Sequence, residues 1–140
     1  MALGAAPDAD LATLERSHRD AIIAPNRTVL VAELDAEIVG MAHIVRSGAA
    51  NAPHRAEVQR VAVAETVRGT GIGRLLMSAV EDAALAQGLT LLWLTTHDAS
   101  EACAFYDAVG YTKLGVMPAY SRRPDGTLWP GAFYFKELRA

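Results

Sequence analysis

Only one cysteine, Cys103, occurs among the 140 residues of the sequence. A lone cysteine forms no internal disulfide, and the four scattered histidines show none of the spacings of a zinc site. No apolar run approaches the ~18 residues that a membrane-spanning helix needs. Internal repeats and low-complexity tracts are missing as well. The sequence therefore predicts no disulfide scaffold, no metal centre and no membrane span.

Neither sign of charge is in large excess, since 13 basic and 16 acidic residues give a net charge of −3 at pH 7. Such a balance argues against the broad basic surface of a nucleic-acid-binding protein. The acidic, alanine-rich beginning lacks a basic segment followed by an apolar core, so we predict no secretory signal. Because 51% of the residues are apolar, the chain can build one hydrophobic core. We expect a single cytoplasmic domain over residues 1–140.

Hydrophobic periodicity predicts the element order helix, three strands, helix, strand, helix and two strands. The first helix is predicted over residues 10–24. A second runs from Ile72 towards a stop at Gly88, and a third follows a capping box at residues 98–101 and ends at Gly110. The strands are predicted over residues 28–34, 37–45, 55–64, 89–96, 112–120 and 132–138. This order indicates a mixed α/β (α+β) fold, in which helices pack on a largely antiparallel sheet.

Three local features refine this prediction. Asp35 and Ala36 separate two strand-like runs and predict a tight hairpin. Residues 123–126 predict a second turn, which makes the last two strands a long hairpin. The helix after Ile72 repeats apolar residues at helical spacing, which predicts a side that faces the core. That side consists of Ile72, Leu75, Leu76, Ala79, Val80 and Ala83.

The third predicted strand contains an irregular alternation. Val58 stands at an even position, whereas Val61 and Val63 stand at odd ones. Since side chains alternate between faces along a strand, one extra residue near Gln59 and Arg60, a β-bulge, would return all three valines to the same face. A strand buried on both faces would explain the same pattern.

Glycines at alternate positions, Gly69, Gly71 and Gly73, lie between this strand and the following helix. The N-terminus of a helix offers free backbone N–H groups and a favourable dipole to an anion, and glycines let the main chain approach it closely. Arg68 and Arg74 flank the turn and can add charge-assisted hydrogen bonds. The pattern indicates a phosphate site, although glycines that merely permit a tight turn remain the alternative.

Two common phosphate-binding motifs do not match this turn. The nucleotide-triphosphate loop requires GxxxxGK[ST], and no Lys-Ser or Lys-Thr follows these glycines. The dinucleotide fingerprint requires GxGxxG, but here the third glycine comes one residue early.

The segment RGTGIG, residues 68–73, is similar to the R/Q-x-x-G-x-G/A motif of the GNAT superfamily of N-acetyltransferases. In addition, AFYDAVGYTKLG, residues 104–115, resembles the A-x-x-x-Y-x-x-x-G-F/Y segment of that family. The resemblance covers about residues 27–138, and the part from Val116 onward is most similar to the tabtoxin-resistance type of acetyltransferase. It implies a GNAT-like sheet whose third strand here carries a bulge and splays from the next strand around acetyl-coenzyme A.

The same resemblance implies the cofactor contacts. The glycine turn would wrap the pyrophosphate of acetyl-coenzyme A, and main-chain groups of the third strand would bind its pantetheine arm. The implied cofactor-binding residues are Val61, Ala62, Val63, Arg68, Gly69, Thr70, Gly71, Ile72, Gly73 and Arg74. Family domains usually open with a strand for which the residues before the first predicted strand leave no room. We therefore expect an N-terminally shortened domain, unless the true start lies upstream, and a homodimer that covers the exposed sheet edge.

Acetyl transfer to an amine requires a neutral nitrogen, yet a lysine-like amine of pKa about 10.4 is almost fully protonated at pH 7. A general base is therefore expected, and Glu57 faces opposite Val58 on the third strand. A solvated or ion-paired strand glutamate is the alternative for Glu57. The resemblance places Tyr106 near the sulfur of the cofactor as the candidate acid, and a packed core tyrosine is the alternative there.

The sequence thus predicts an acetyl-coenzyme A-dependent N-acetyltransferase. We expect direct transfer in a ternary complex to the amine of a small or amino-acid-like molecule, as in resistance enzymes for antibiotics or toxins. A non-catalytic acyl-coenzyme A-binding module is the competing hypothesis. Some relatives carry a second acid where this chain has Thr95 and Thr96, and whether Asp98 replaces it stays open.

Overall fold

A computed structural model describes residues 25–139 and contains one six-stranded sheet. The strands are β1 Arg27–Leu34, β2 Glu37–Arg46, β3 Arg55–Val63, β4 Leu91–His97, β5 Thr112–Arg122 and β6 Leu128–Glu137. They lie in the order β1-β2-β3-β4-β6-β5. Among these six strands, only β3 and β4 run parallel, and every other neighbouring pair is antiparallel. The helices are α1 Ile72–Ala86 and α2 Glu101–Ala108, and Glu65–Val67 forms a short 3-10 turn. The predicted mixed, largely antiparallel fold is confirmed.

The hairpin between β1 and β2 turns at the two predicted residues. Asp35 and Ala36 have φ values of +51° and +65°, and Leu34 pairs with Glu37. Two positive φ values in a two-residue loop match the right-handed twist of the flanking strands. Asp35 tolerates this conformation better than Ala36 does, and Ala36 occupies a position that is usually glycine in such turns.

One extra residue interrupts β3 where the prediction placed a bulge. The pairing of β3 with β2 shifts register at Ala42, which faces both Arg60 and Val61. Arg60 adopts φ +53°. Val58 before the bulge and Val63 after it are therefore both buried, although their positions differ in parity. The β-bulge is confirmed.

Both described helices contribute to one core against the same face of the sheet. Leu92 and Leu94 of β4 and Ala132 and Tyr134 of β6 point into it, whereas the residues between them are partly exposed. These intervening, odd-numbered residues of β4 and β6 lie on the opposite face of the sheet, which is called the open face below.

The buried side of α1 differs from its prediction. Leu75 was expected to face the core but is 68% exposed, whereas Met77 is 1% exposed. Helical spacing identifies an apolar arc but does not say which edge of it meets the sheet. The residues that α1 buries are Gly73, Leu76, Met77, Val80 and Ala84.

The predicted capping box before α2 is wrong. The N-cap is Ser100, whose side chain makes no capping hydrogen bond. Asp98 instead accepts a hydrogen bond from Lys113 Nζ of β5 at 2.9 Å. The helix still ends where expected, because Gly110 adopts φ +92° just after it.

The last two strands form a longer hairpin than predicted. Their turn lies at residues 123–126, as expected, where Gly126 N donates to Arg123 O at 2.9 Å. Pairing is irregular between Met117 and Ser121, and Ala119 has φ +55°. The first strand continues to Arg122 instead of ending at residue 120, and the second begins at Leu128 instead of residue 132.

Two predictions lie outside the described residues, namely the helix at 10–24 and the shortened N-terminal region. Between residues 25 and 139, no helix is long and apolar enough to cross a bilayer.

Candidate active site

The glycine turn borders a cavity of about 390 Å³ between the end of β3, the start of α1 and α2. Gly69 and Gly71 have φ values of +79° and +88°, a conformation that residues with a Cβ rarely adopt. A Cβ built on either glycine would meet no atom within 4 Å. The glycines thus leave open space beside the main chain rather than relieve a contact within the protein.

The beginning of α1 adds an electrostatic preference to this cavity. Gly71 is the N-cap, and it has no side chain to bond the N–H groups of the first turn. Those groups and the helix dipole favour an anion. Arg68 and Arg74 also line the cavity, and Arg68 Nε donates to Val63 O at 3.4 Å. The turn therefore has the geometry and the charge for a phosphate group.

A second feature of the site is the gap between β3 and β4. The two strands pair only from Arg55 to Glu57 on β3, opposite Leu91 to Trp93 on β4. Beyond that point they separate, and a cavity of about 240 Å³ lies between them. Main-chain groups of β3 after the bulge lack a β4 partner, so an extended ligand can bind them there. The splayed arrangement expected from the resemblance is present.

Glu57 and Tyr106 both line this second cavity. Glu57 is the last β3 residue paired with β4, and it lies on the open face because Val58 next to it is buried. Tyr106 reaches the cavity from α2, on the core side of the sheet. The separation of the strands brings together two residues that come from opposite faces.

Tyr106 is 5% exposed and packs edge-on against Phe105 and Tyr111 at centroid distances of 5.3 and 5.9 Å. Burial raises the pKa of its phenol well above the ordinary value. The hydroxyl therefore keeps its proton at neutral pH and can donate a hydrogen bond. Tyr106 is thus a core residue that also reaches the cavity.

The sequence missed one partner of Glu57. Gln59 Nε2 donates to Glu57 Oε1 at 2.8 Å, and Gln59 lines the same cavity. Two residues apart on a strand, their side chains share a face. This two-residue spacing is the signal in the sequence that relates Gln59 to Glu57, but an uncharged glutamine does not by itself indicate a catalytic role.

Other candidates lie differently. Asp98 is in an ion pair with Lys113 and does not line the cavity, whereas Thr95 and Thr96 do. Within the described part of the chain, no second carboxylate therefore accompanies Glu57 in this cavity. Cys103 Sγ donates to His97 O at 3.5 Å, and Cys103 is not among the residues that line this cavity.

Comparison with known proteins decides the family. The model of the acetyltransferase (GNAT) family matches residues 3–111. The chain belongs to this family. Over 74 residues, or 53% of the chain, it is also 42% identical to mouse (Mus musculus) N-alpha-acetyltransferase 80, and this match spans 22% of that protein.

Solved GNAT structures share the fold. The ribosomal-protein-alanine N-acetyltransferase from Brucella melitensis superposes with a TM-score of 0.73 at 26% identity, over 94% of this chain and 78% of that one. An aminoglycoside 6'-N-acetyltransferase complexed with coenzyme A gives a TM-score of 0.72 at 19% identity, over 87% and 78%. GNAT acetyltransferases use acetyl-coenzyme A. A turn with open space beside Gly69 and Gly71, at a helix N-terminus and near a gap between strands, fits that cofactor.

Proposed function

We propose that the protein is an N-acetyltransferase that transfers an acetyl group directly to a bound amine in a ternary complex. The observation that carries the proposal is the position of Glu57 and Tyr106 in one cavity between the separated strands. That cavity adjoins the strand that leads to the glycine turn. An anion-binding turn and an acid–base pair thus belong to neighbouring parts of one cleft.

Glu57 serves as the general base in this proposal. Its carboxylate takes the proton from the attacking amine, directly or through one water, so that the nitrogen lone pair becomes available. The half-buried position at the end of the β3–β4 pairing places it beside the gap rather than in open solvent. A Glu57 that merely formed an ion pair would have a cation against it, but the hydrogen-bond partner in the described residues is neutral Gln59.

Tyr106 serves as the hydrogen-bond donor on the other side of the same cavity. Since burial keeps its phenol protonated, Tyr106 would donate a hydrogen bond to the coenzyme A thiolate, which leaves as the thioester C–S bond breaks and the N–C bond to the amine forms. Acetyl-coenzyme A, when bound, supplies an acetyl group activated as a thioester. Its proposed ligands are Val61, Ala62, Val63, Arg68, Gly69, Thr70, Gly71, Ile72, Gly73 and Arg74, the first three through their main chain.

For the acceptor we propose a small amine or amino-acid-like molecule, of the kind acetylated by tabtoxin-resistance enzymes. The β5–β6 hairpin supports this choice. Arg123 lies 3.1 Å from the ring centre of Trp129, which stacks on His97 at 4.8 Å. His97 ends β4, next to the cavity-lining Thr96. An arginine held flat on an aromatic ring is a preorganised cation that can bind a substrate carboxylate.

A thiol-release assay with acetyl-coenzyme A and a panel of amino acids, polyamines, antibiotics and peptides tests the proposal. We expect turnover with at least one small amine, and a loss of about 100-fold or more in kcat for Glu57→Gln. Unaltered kcat in Glu57→Gln would remove Glu57 from the mechanism. Binding of acetyl-coenzyme A without turnover of any amine would favour a non-catalytic acyl-coenzyme A-binding module.

We also propose that the protein is a cytoplasmic homodimer. Sedimentation tests the oligomeric state, and a monomer would contradict the proposed dimer.

A further inference from the structure

A chain of hydrogen bonds on the open face connects Glu57 to a residue two strands away. Gln59 Nε2 donates to Glu57 Oε1 at 2.8 Å, and Arg27 Nη1 donates to Gln59 Oε1 at 3.2 Å. The same Nη1 lies 2.9 Å from His43 Nδ1. β1, β2 and β3 each contribute a side chain to this chain of contacts.

The donors fix the orientation of the Gln59 amide. A guanidinium can only donate, so the oxygen of the amide faces Arg27 and its NH₂ group faces the carboxylate. For the same reason His43 Nδ1 accepts and carries no proton in this arrangement. If the amide rotated by half a turn, it would set NH₂ against the guanidinium and oxygen against the carboxylate, which are two repulsive contacts.

Strand register explains why these side chains meet. His43 pairs with Gln59 across β2 and β3, and Arg27 pairs with Val45 across β1 and β2. Arg27 therefore lies diagonally from His43 on the adjacent strand, and Gln59 lies directly opposite His43, so the three side chains share one face. His43 is 1% exposed, so Arg27 is anchored at a buried acceptor as well as at the amide. The bulge begins directly after Gln59 and ends this regular alignment at the cavity.

We propose that Gln59, held by Arg27, is a positioning residue for the base Glu57. Its NH₂ group engages Oε1 and fixes the carboxylate plane, so that Oε2 is the oxygen that takes the proton from the amine. This proposal rests on the proposed function. Neither Gln59 nor Arg27 touches the glycine turn. Replacing Gln59 is therefore expected to affect the transfer step and not the binding of acetyl-coenzyme A.

The first experiment measures kcat and the KM for acetyl-coenzyme A in Gln59→Met. This substitution keeps the side-chain length but removes the carbonyl oxygen and the NH₂ group of the amide. We expect kcat to fall about tenfold, with that KM unchanged within twofold. Gln87→Met is the matched control, because Gln87 Nε2 also makes one partly buried bond, to Thr28 Oγ1 at 3.0 Å, far from the cavity. It should keep wild-type kcat.

A double-mutant cycle separates positioning from general damage. In a Glu57→Gln background, Gln59→Met should change kcat by less than twofold, since its effect acts through Glu57. Equal losses in both backgrounds, or wild-type kcat in Gln59→Met, would overturn the proposal. Gln59→Glu keeps an acceptor for Arg27 but sets two carboxylates together, so it should lose at least as much kcat as Gln59→Met, and wild-type kcat in Gln59→Glu would also overturn the proposal.

A structural readout remains if the wild-type protein turns over no amine, which would contradict the proposed function alone. The NMR signals of the Gln59 side-chain NH₂ group should shift in both Arg27→Met and Glu57→Gln. Those of Gln87 should shift in neither variant. Unchanged Gln59 signals in these two variants would overturn the positioning proposal itself.

Discussion

Tyr106 packs in the core and, in the proposed mechanism, also donates a hydrogen bond. It is nearly buried among aromatic rings, yet it borders the cavity that also contains Glu57. Because burial raises the pKa of its phenol, the protonated form dominates throughout the neutral range. A role as a hydrogen-bond donor therefore agrees with its environment, whereas a role as a phenolate base does not.

Replacing Tyr106 with phenylalanine removes only the hydroxyl and keeps the ring packing. We expect kcat to fall about 10- to 100-fold, because one hydrogen-bond donor to developing charge is lost. The KM for acetyl-coenzyme A and the melting temperature should stay close to wild type. Steady-state kinetics and a thermal melt on the same preparation check this. Wild-type kcat in Tyr106→Phe would show that the residue only packs.

At the scale of elements, Lys136 joins both helices to the sheet, through an ion pair with α1 and a hydrogen bond at the end of α2. Lys136 Nζ of β6 lies 3.0 Å from Glu81 Oε1 of α1 and donates to Val109 O, just after α2, at 3.0 Å. The side chains are 26% and 20% exposed. The cavity residue Tyr106 lies on α2, so this contact helps to fix the helix that carries it.

Lys136→Met should lower the free energy of unfolding by about 1–3 kcal/mol, because Glu81 and a carbonyl oxygen each lose a partner in a partly buried place. Lys113→Met is the matched control, since Lys113 pairs with Asp98 but is 43% exposed. Because Lys113 is more exposed to solvent, that variant should cost clearly less than Lys136→Met. Urea unfolding of both variants gives the comparison, and equal losses would contradict the role assigned to Lys136.

Much at this scale was predictable from local sequence signals. The parity change between Val58 and Val61 gave the bulge, and the glycines gave the turn before α1. The predictions that Leu75 faces the core and that Asp98 caps α2 were wrong. Which side of a helix meets the sheet, and which residue pairs with a side chain across strands, depend on tertiary packing. For the same reason the hydrogen bond from Arg27 to Gln59 was not predicted, since it depends on the register of three strands.

At the scale of the whole molecule, the site results from the single parallel pair in the sheet. β3 and β4 separate after Glu57, so the sheet opens in its middle instead of at an edge. The glycine turn and α1 follow β3, and α2 follows β4. The glycine turn, the proposed base Glu57 and the buried Tyr106 thus all lie on elements that adjoin this gap.

The central claim is that the glycine turn binds the pyrophosphate of acetyl-coenzyme A, and isothermal titration of the cofactor into matched variants tests it most directly. Gly71→Ala and Gly126→Ala introduce a Cβ at nearly the same φ, +88° and +89°, each with no atom within 4 Å. Both should lose about 1 kcal/mol of stability. We predict that Gly71→Ala raises the Kd at least tenfold while Gly126→Ala leaves it unchanged. An equal Kd in the two variants would contradict the account.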